Sequence, residues 1–427
     1  MAEVLKEAAE SRAQDDARIR RDVSEMLLRI ERDGERAVRE YSRSLDGWDP
    51  PDFRVGAAAI LHAADELDDE LKTHIAFALD QVRAFASRQR DTLQDLRVET
   101  LPGVVLGHRH VPVTASGAYV PGGRYPMLAS SFMTVAVPKV AGVGRVVACA
   151  PPRAGKGIHP AMLYAMDASG ADEIVCLGGV QALATMAFGL LGVEPVDLIV
   201  GAGNAYVAEA KRQLFGRVGI DLLAGPTEVV VIADDTADAD LVAADLLGQA
   251  EHGPTSPAVL ITTSRELGLA VVDAVERALL DWPTREIAAE AWQREGRVLV
   301  ARDRDEAVEL SDQLAPEHLE LQVAAHELDA YAGALRNYGS LFVGADSTVA
   351  YGDKAVGTNH VLPTAGAARY TGGLWVGKFL KTLTFQELTE EGTRRVAPAV
   401  AAISHAEGFG GHARTAELRL ERAGAAQ

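Results

Sequence analysis

The period of the hydrophobic positions changes along this chain. Up to about residue 45 it is helical, with Val23, Met26, Leu27, Ile30 and Val38 spaced along a charged, amphipathic segment. Asp46-Gly47-Trp48-Asp49-Pro50-Pro51 breaks that helix. The spacing then predicts two more helices, over 57–67 and 69–88, which read as packing or interface material.

From Val98 the texture becomes strand-like. Residues 104–113 read as a strand pair, and the run from Gly117 to Val120 as a strand entering the glycine-rich turn 121–126. Helices at 130–141, 159–169 and 181–191 alternate with strands at 145–150, 173–177 and 196–200. A second run has strands at 229–233, 258–262, 298–300, 318–323 and 339–343. Its helices fall at 237–247, 267–280, 304–313 and 327–335. Such alternation predicts parallel sheets with right-handed crossovers, an α/β fold. From about Leu374 the pattern is helical again.

Composition narrows the class. A chain of 427 residues is too long for one ordinary domain, and 48% hydrophobic residues with 40 glycines suit α/β architecture. A net charge of −19 argues against nucleic acid or an anionic membrane as partner. Cys149 and Cys176 lie in apolar runs, as buried thiols and not as a disulfide framework. There is no apolar leader and no run approaching ~20 apolar residues, so a cytoplasmic location is expected.

Chemistry concentrates in turn-rich stretches. In Leu246-Leu247-Gly248-Gln249-Ala250-Glu251-His252-Gly253-Pro254, Gln249 and His252 are three apart and share a helix face. Gly253-Pro254 is expected to stop that helix directly after the histidine. An amide oxygen and an imidazole nitrogen presented together can hold a divalent metal, although the same pattern also describes a solvated helix end. Its company adds weight: Pro316-Glu317-His318-Leu319-Glu320, Gly352-Asp353-Lys354, Gly357-Thr358-Asn359-His360, and Glu407 with His412. Three loops after strands carry glycine, at Gly122-Gly123, Gly178-Gly179 and Gly201-Ala202-Gly203-Asn204. Loops of this kind turn backbone N–H groups toward phosphate, and they serve equally as tight α/β turns.

GAYVPGG, LGGVQA, GAGNAYVAEAKR, AGPTEVVVIAD, LLGQAEHGPTS, APEHLEL, GDKAVGTNHVLPT and AEGFGGH follow one another along the chain. Together they resemble the histidinol dehydrogenase family over about residues 20–420. The resemblance implies two incomplete Rossmann-like parallel-sheet domains with helical N- and C-terminal extensions, in an intertwined homodimer. The expected pieces are an N-terminal extension over 1–17 and a first α/β domain, 18–117 with 228–374, bearing the metal and catalytic motifs. A nucleotide-binding α/β domain would cover 118–227, and a C-terminal extension over 375–427 would complete the partner's active site.

The resemblance also implies zinc, held by Gln249, His252, Asp353 and, from the neighbouring protomer, His412. Its catalytic pair falls on Glu317 and His318, and its NAD contacts on Tyr119, Gln181 and Asn204. Substrate contacts fall on Thr227, His360 and Glu407, alongside Gln249, His252, His318, Asp353 and His412. The implied reaction is the four-electron oxidation of a primary alcohol to a carboxylate through an aldehyde. Zinc would polarise the alcohol, His318 would accept its proton, Glu317 would activate water against the aldehyde, and NAD would take each hydride. Adjacent strand residues face opposite ways, so Glu317 and His318 share a site only if Pro316 holds them in a turn.

The sequence departs from the family at Thr227, where serine is usual, and at Ala202, where proline is usual. GGRYPMLASSFM, FGRVGIDLLAGPTE and ARYTGGLWVGKFLKT resemble the sulfopropanediol 3-dehydrogenase branch, which oxidises 2,3-dihydroxypropane-1-sulfonate. Phe132 stands where that branch carries histidine. Arg124, Arg369, Lys378 and Lys381 lie in or near these stretches and suit a sulfonate. L-Histidinol is the alternative substrate, and Glu407 could meet its cation. Two other classes use the same residue types: a zinc metallohydrolase and a catalytically silent, zinc-stabilised dimer.

Overall fold

A computed structural model describes residues 2–8, 15–123, 125–153 and 155–425. The chain opens with strand β1 (Glu3–Lys6) and helices α1 (Asp15–Asp33), α2 (Glu35–Tyr41), α3 (Ala57–Asp65) and α4 (Asp69–Asp91). Strands β2 (Leu96–Leu101), β3 (Val104–Pro112) and β4 (Ala115–Tyr119) follow. The first alternating run is α5 (Leu128–Ala141), β5 (Arg145–Ala150), α6 (Pro160–Ser169), β6 (Glu173–Cys176) and α7 (Gly179–Phe188). It ends with β7 (Leu198–Val200), α8 (Ala205–Leu214) and β8 (Gly219–Ile220). The second run is β9 (Val229–Ala233), α9 (Ala239–Ala250), β10 (Ala258–Thr262), α10 (Arg265–Ala278) and α11 (Arg285–Glu295). After it come β11 (Arg297–Val300), α12 (Arg304–Leu314), β12 (His318–Gln322), α13 (Leu328–Ala334), β13 (Ser340–Val343) and α14 (Val349–Lys354). The C-terminal piece is β14 (Leu380–Leu388), α15 (Glu390–Ala406) and α16 (Gly410–Ala425).

The chain divides into two compact units, Met1–Arg88 with Val113–Phe379, and Gln89–Pro112 with Leu380–Gln427. The larger unit holds two sheets. One has the strand order β6-β5-β4-β7-β8, parallel throughout. The other runs β1-β11-β10-β9-β12-β13, parallel except for β1, which pairs antiparallel with β11. The predicted parallel α/β architecture is therefore present, because each helical crossover returns the chain to begin the next strand in the same direction. Strand order reverses between β4 and β7 in the first sheet and between β9 and β12 in the second.

Apolar residues on the two faces of the second sheet fall into separate clusters. Val229, Val231 and Ala233 pack with Val242, Leu246 and Val271 on one side. Val230, Ile232, Leu319 and Leu321 pack with Ala307 and Tyr331 on the other. Cys149 and Cys176 are buried free thiols on β5 and β6, as expected.

Several placements differ from the sequence reading: residues 104–112, expected as a strand pair, form the single strand β3, and α8, α11 and α14 lie where no helix was expected. Val23, Leu27, Ile30 and Phe53 share one cluster with Val147, Cys149 and Ile199, so residues expected to accompany 228–374 cover the first sheet. A helix's apolar stripe says that it must be covered, not by which sheet. The helical segment expected over 375–427 begins with the nine-residue strand β14, and β1 precedes the first helix. β14 is exposed at most positions, so no inward-outward alternation marks it in the sequence.

The smaller unit is an antiparallel sheet, β14-β3-β2, with the α15–α16 hairpin. Every residue of β2 is exposed, and Leu96, Val98, Leu383, Leu388, Ile403, Phe409 and Leu418 present apolar surface. Among the described residues no helix is long and apolar enough to cross a membrane.

Candidate active site

The amino edge of the second sheet gathers the polar residues. His318 pairs in register with Val229, so β12 and β9 start side by side. α9 follows β9 and runs back across the sheet, returning its last turn, with Gln249, toward that edge. The helix ends at Ala250, two residues before His252, whose N–H donates to the Gln249 carbonyl at 3.3 Å. That turn ends the helix earlier than Gly253-Pro254 would have done, yet still sets Gln249 and His252 beside each other in the chain's path.

Glu317 and His318 do share one place. Ala315 adopts a left-handed conformation, φ 48°, after α12, and Glu317 sits in a bend before β12 begins. His318 Nδ1 lies 3.6 Å from Glu317 Oε2. Both side chains are buried. Glu317 Oε2 accepts hydrogen bonds from the Thr227 hydroxyl at 2.5 Å and the Glu228 N–H at 2.9 Å. Burial pushes the Glu317 carboxyl up to about 7, against the opposing pull of His318 and those two donors.

His318 Nδ1–H donates to the Glu228 carbonyl at 2.9 Å, which leaves Nε2 as the basic atom of the neutral ring. Nε2 is buried with no hydrogen-bond partner among the described residues and stands 3.6 Å from Asp353 Oδ1. Burial alone would depress the imidazole, but Glu317 first and Asp353 next carry it up to about 9.

Asp353 is near the end of α14 and buried. Burial opposes its ionisation, yet His318, His360 and Lys354 hold the carboxylate well below the usual range. His360 Nδ1 donates to the Asp353 carbonyl at 3.1 Å, and its Nε2 is 2.7 Å from the Ser130 hydroxyl on α5. Both ring nitrogens are therefore engaged, and burial keeps this imidazole below its ordinary pKa. Asn359 adds a bond from its amide to the Met133 carbonyl at 3.1 Å, so the segment carrying His360 is fixed to the first sheet's leading helix.

The resemblance-derived nucleotide positions collect at the carboxyl edge of the first sheet, at its reversal of strand order, where α/β sheets bind ligands. Tyr119 ends β4, and its hydroxyl accepts from the Gly179 N–H at 3.2 Å. Gln181 is buried on α7, donates to Asp46 at 2.9 Å, and keeps its side-chain oxygen unpartnered among the described residues. Asn204 caps α8, its side chain accepting from Tyr206 and Val207 N–H at 3.0 and 3.1 Å. Gly201 has φ +116°, and a Cβ there would meet the Tyr119 carbonyl at 2.1 Å, so only glycine fits that approach. An unpaired amide oxygen and glycine-lined helix starts fit a nucleotide.

The second sheet's edge fits a zinc ion as far as the larger unit goes. Gln249 Nε2 donates to the Thr227 hydroxyl at 2.5 Å, which leaves the amide oxygen to coordinate. Burial lowers the His252 pKa and favours the neutral ring a metal requires, while Asp353 is an anion close enough to pull the other way. Among the described residues no three His, Cys, Asp or Glu side chains form a metal cage by themselves. The expected set has only His252 and Asp353 of those types in the larger unit. Its other members are the amide of Gln249 and His412 of the smaller unit. There Glu407 caps the end of α15, and His412 is exposed on the first turn of α16 with its ring 5.5 Å from that of Phe409.

Sequence reasoning passed over Ser130, Asp46 and Glu320. Ser130 sits inside an apolar helix and Asp46 inside a helix breaker, so no local signal marks either. Phe132 is buried on α5, Lys378 donates to the Thr371 hydroxyl at 3.0 Å, Arg369 and Lys381 are exposed, and Arg124 lies outside the described residues.

A histidinol dehydrogenase family model matches residues 9–420. The chain belongs to the histidinol dehydrogenase family. A histidinol dehydrogenase homolog of Shouchella clausii is 51% identical over 426 residues, 99% of this chain and 100% of the relative. A sulfopropanediol 3-dehydrogenase of Ruegeria pomeroyi is 46% identical, covering 98% of this chain and 96% of that protein. A crystal structure of histidinol dehydrogenase from Elizabethkingia anophelis superposes with TM-score 0.91 at 33% identity, over 97% of this chain and 94% of that one. The chain is thus similar throughout its length to a family of NAD-dependent oxidoreductases, and the metallohydrolase alternative is not better supported.

Proposed function

We propose that this family member is a zinc- and NAD-dependent dehydrogenase that oxidises a small polar primary alcohol to its carboxylate through the aldehyde. The observation that carries the reading is the continuous array Gln249–Thr227–Glu317–His318–Asp353 at one sheet edge. In it one basic nitrogen, one raised carboxyl and one fixed carboxylate meet. When bound, zinc would polarise the substrate oxygen and NAD would accept hydride.

In its neutral form, which the raised pKa of about 9 makes more abundant as pH rises, His318 takes the hydroxyl proton at Nε2 in the first oxidation, with Nδ1 anchored on the Glu228 carbonyl to fix the tautomer. Glu317 takes a proton from water as that water adds to the aldehyde. A carboxyl poised at about 7 exchanges protons easily near neutral pH. The four-electron balance would require two NAD per full turnover, one as the acceptor for each oxidation. Asp353 with Gln249 and His252 would hold the metal from this chain, and His412 from the partner. Tyr119, Gln181 and Asn204 would line the nucleotide site, and Thr227, His360 and Glu407 would bound the substrate.

The exposed apolar residues of the smaller unit support assembly as a homodimer, since a surface of that kind is normally covered by a partner. A second copy of this chain is the proposed cover.

For the substrate we favour 2,3-dihydroxypropane-1-sulfonate, on the branch-like text around Phe132 and Lys378 and on the 46% identity to the Ruegeria enzyme. L-Histidinol stands as the second reading because Phe132 is buried and apolar, and His360 is kept neutral, so neither offers charge to a sulfonate. The test is NADH formation with zinc supplied, on dihydroxypropanesulfonate, L-histidinol and related diols. Absence of turnover with every alcohol would remove the dehydrogenase reading.

A further inference from the structure

β12 carries a polar stripe that the proposed chemistry does not use. His318, Glu320 and Gln322 alternate with Leu319 and Leu321, so the three share one face while the leucines join the opposite core. Glu320 is fully buried and Gln322 nearly so. Buried charged groups are costly unless paired, so this stripe needs partners.

The partners come from the two helices that carry the candidate metal ligands. Asp245 lies one turn before Gln249 on α9 and so on the same side of that helix. Thr348 caps α14, and Val349 is that helix's first residue. Glu320 Oε1 accepts from the Val349 N–H at 2.9 Å. Asp245 Oδ1 accepts from the Thr348 hydroxyl at 2.9 Å. The Gln322 amide joins the two acids, donating to Asp245 at 2.7 Å and to Glu320 at 3.3 Å. Three elements are thereby fastened at one point: the strand with His318, the helix with Gln249 and the helix with Asp353.

We infer that Glu320 and Asp245 act as a positioning clamp, which holds α9 and α14 against β12 so that Gln249, His252, Asp353 and His318 keep one mutual geometry. Neither acid touches a reacting atom. α14 is only six residues long, and its start would otherwise depend on the Thr348 cap alone. Groups that orient metal ligands from behind typically change metal affinity ~10–100-fold when removed.

This inference rests on the zinc reading, and the experiment separates the two. Glu320→Leu removes the acceptor at nearly constant volume, whereas Glu320→Gln keeps an acceptor for Val349 and offers Asp245 a donor. Amide hydrogen exchange over residues 349–354, measured on metal-free protein, reports the clamp without zinc. Expected is faster exchange in the Leu variant, near-native protection in the Gln variant, and a ~10–100-fold weaker zinc Kd in the Leu variant alone. Native protection of α14 in Glu320→Leu, or equal loss in the Leu and Gln variants, overturns the clamp. If wild-type protein binds no zinc, the metal reading falls while the exchange result still decides. Should Glu320→Leu fail to fold, Asp245→Asn replaces it. That variant keeps one of the two acceptor oxygens, so partial loss of α14 protection supports the clamp and none overturns it.

Discussion

Thr227 and Glu317 are joined by a hydrogen bond of 2.5 Å, with the hydroxyl donating to the carboxylate. The same hydroxyl accepts from Gln249, so one small side chain couples the proposed metal ligand to the proposed water-activating base. Serine is usual at this position in the family, and threonine keeps the hydroxyl that the coupling needs. Thr227→Val keeps the shape but takes the acceptor from the Gln249 amide and leaves Glu317 Oε2 with the Glu228 N–H alone of its two donors, and a buried polar group left unsatisfied costs ~1–3 kcal/mol. We expect weaker zinc binding and slower aldehyde oxidation in Thr227→Val, with Thr227→Ser close to wild type. Calorimetric zinc titration together with aldehyde kinetics checks this. A valine variant equal to wild type in both would show that the coupling is inert.

The two bases should separate by step. His318→Ala is expected to slow alcohol oxidation, and Glu317→Gln to slow aldehyde oxidation, each by ~10²–10⁴-fold. Supplying the aldehyde directly isolates the second step. Wild-type aldehyde turnover in Glu317→Gln would end the assigned division of labour.

How far this was legible in the sequence depends on range. The strand–helix alternation is local, and the second run forms nearly where its apolar periods lie. Glu317 and His318 were paired by the family resemblance, on the condition of a turn at Pro316, and the bend at Glu317 meets that condition. The hydrogen bond of Ser130 to His360 spans 230 residues and comes from an apolar helix, so no spacing announces it. Glu320 stood inside a motif already noted, yet its role needs Asp245, Thr348 and Val349, three residues brought together only by the fold. β14 was missed because a strand exposed on both faces has no alternation to read.

The smaller unit yields an assembly prediction. If His412 completes the partner's site, then His412→Ala and His318→Ala homodimers are both inactive. Mixed dimers would regain activity, because one of their two sites has its own His318 and the partner's intact His412. Activity after verified subunit exchange is the measurement. Continued inactivity would assign His412 to its own chain.

The pair of acids behind the site should be visible in stability. Burial first and Asp245 second raise Glu320 from 4.5 to about 8 in the folded protein. Below about pH 4.5 the carboxyl is neutral in both states and costs nothing extra. Between 4.5 and about 8 the unfolded chain ionises while the folded one stays protonated, so stability falls as pH rises. Glu320→Gln does not titrate. Its Tm advantage over wild type should therefore grow across that window and level off above it. A difference that is flat with pH would show that Glu320 is not held neutral.

Substrate charge is the remaining discriminator, and Lys378 is the residue to test it. Its short turn, Val376–Phe379, packs on α5, the helix that carries Ser130 and Phe132. Lys378 is half-buried, and its ammonium has donors beyond the one given to Thr371. Arg369 is exposed, and Lys381 belongs to the smaller unit. A sulfonate needs a cation near its acidic end, whereas the ammonium of L-histidinol would be repelled by one. Lys378→Met should thus raise KM for dihydroxypropanesulfonate while leaving kcat nearly unchanged, because lost ground-state binding appears in KM. For L-histidinol the same change should be neutral or favourable. In wild type we expect kcat/KM for the sulfonate to exceed that for L-histidinol at least tenfold, or ~1.4 kcal/mol of transition-state binding. A tenfold advantage for L-histidinol instead, unaltered by Lys378→Met, would identify the amino alcohol as the substrate and make the branch-like text around Phe132 a matter of packing.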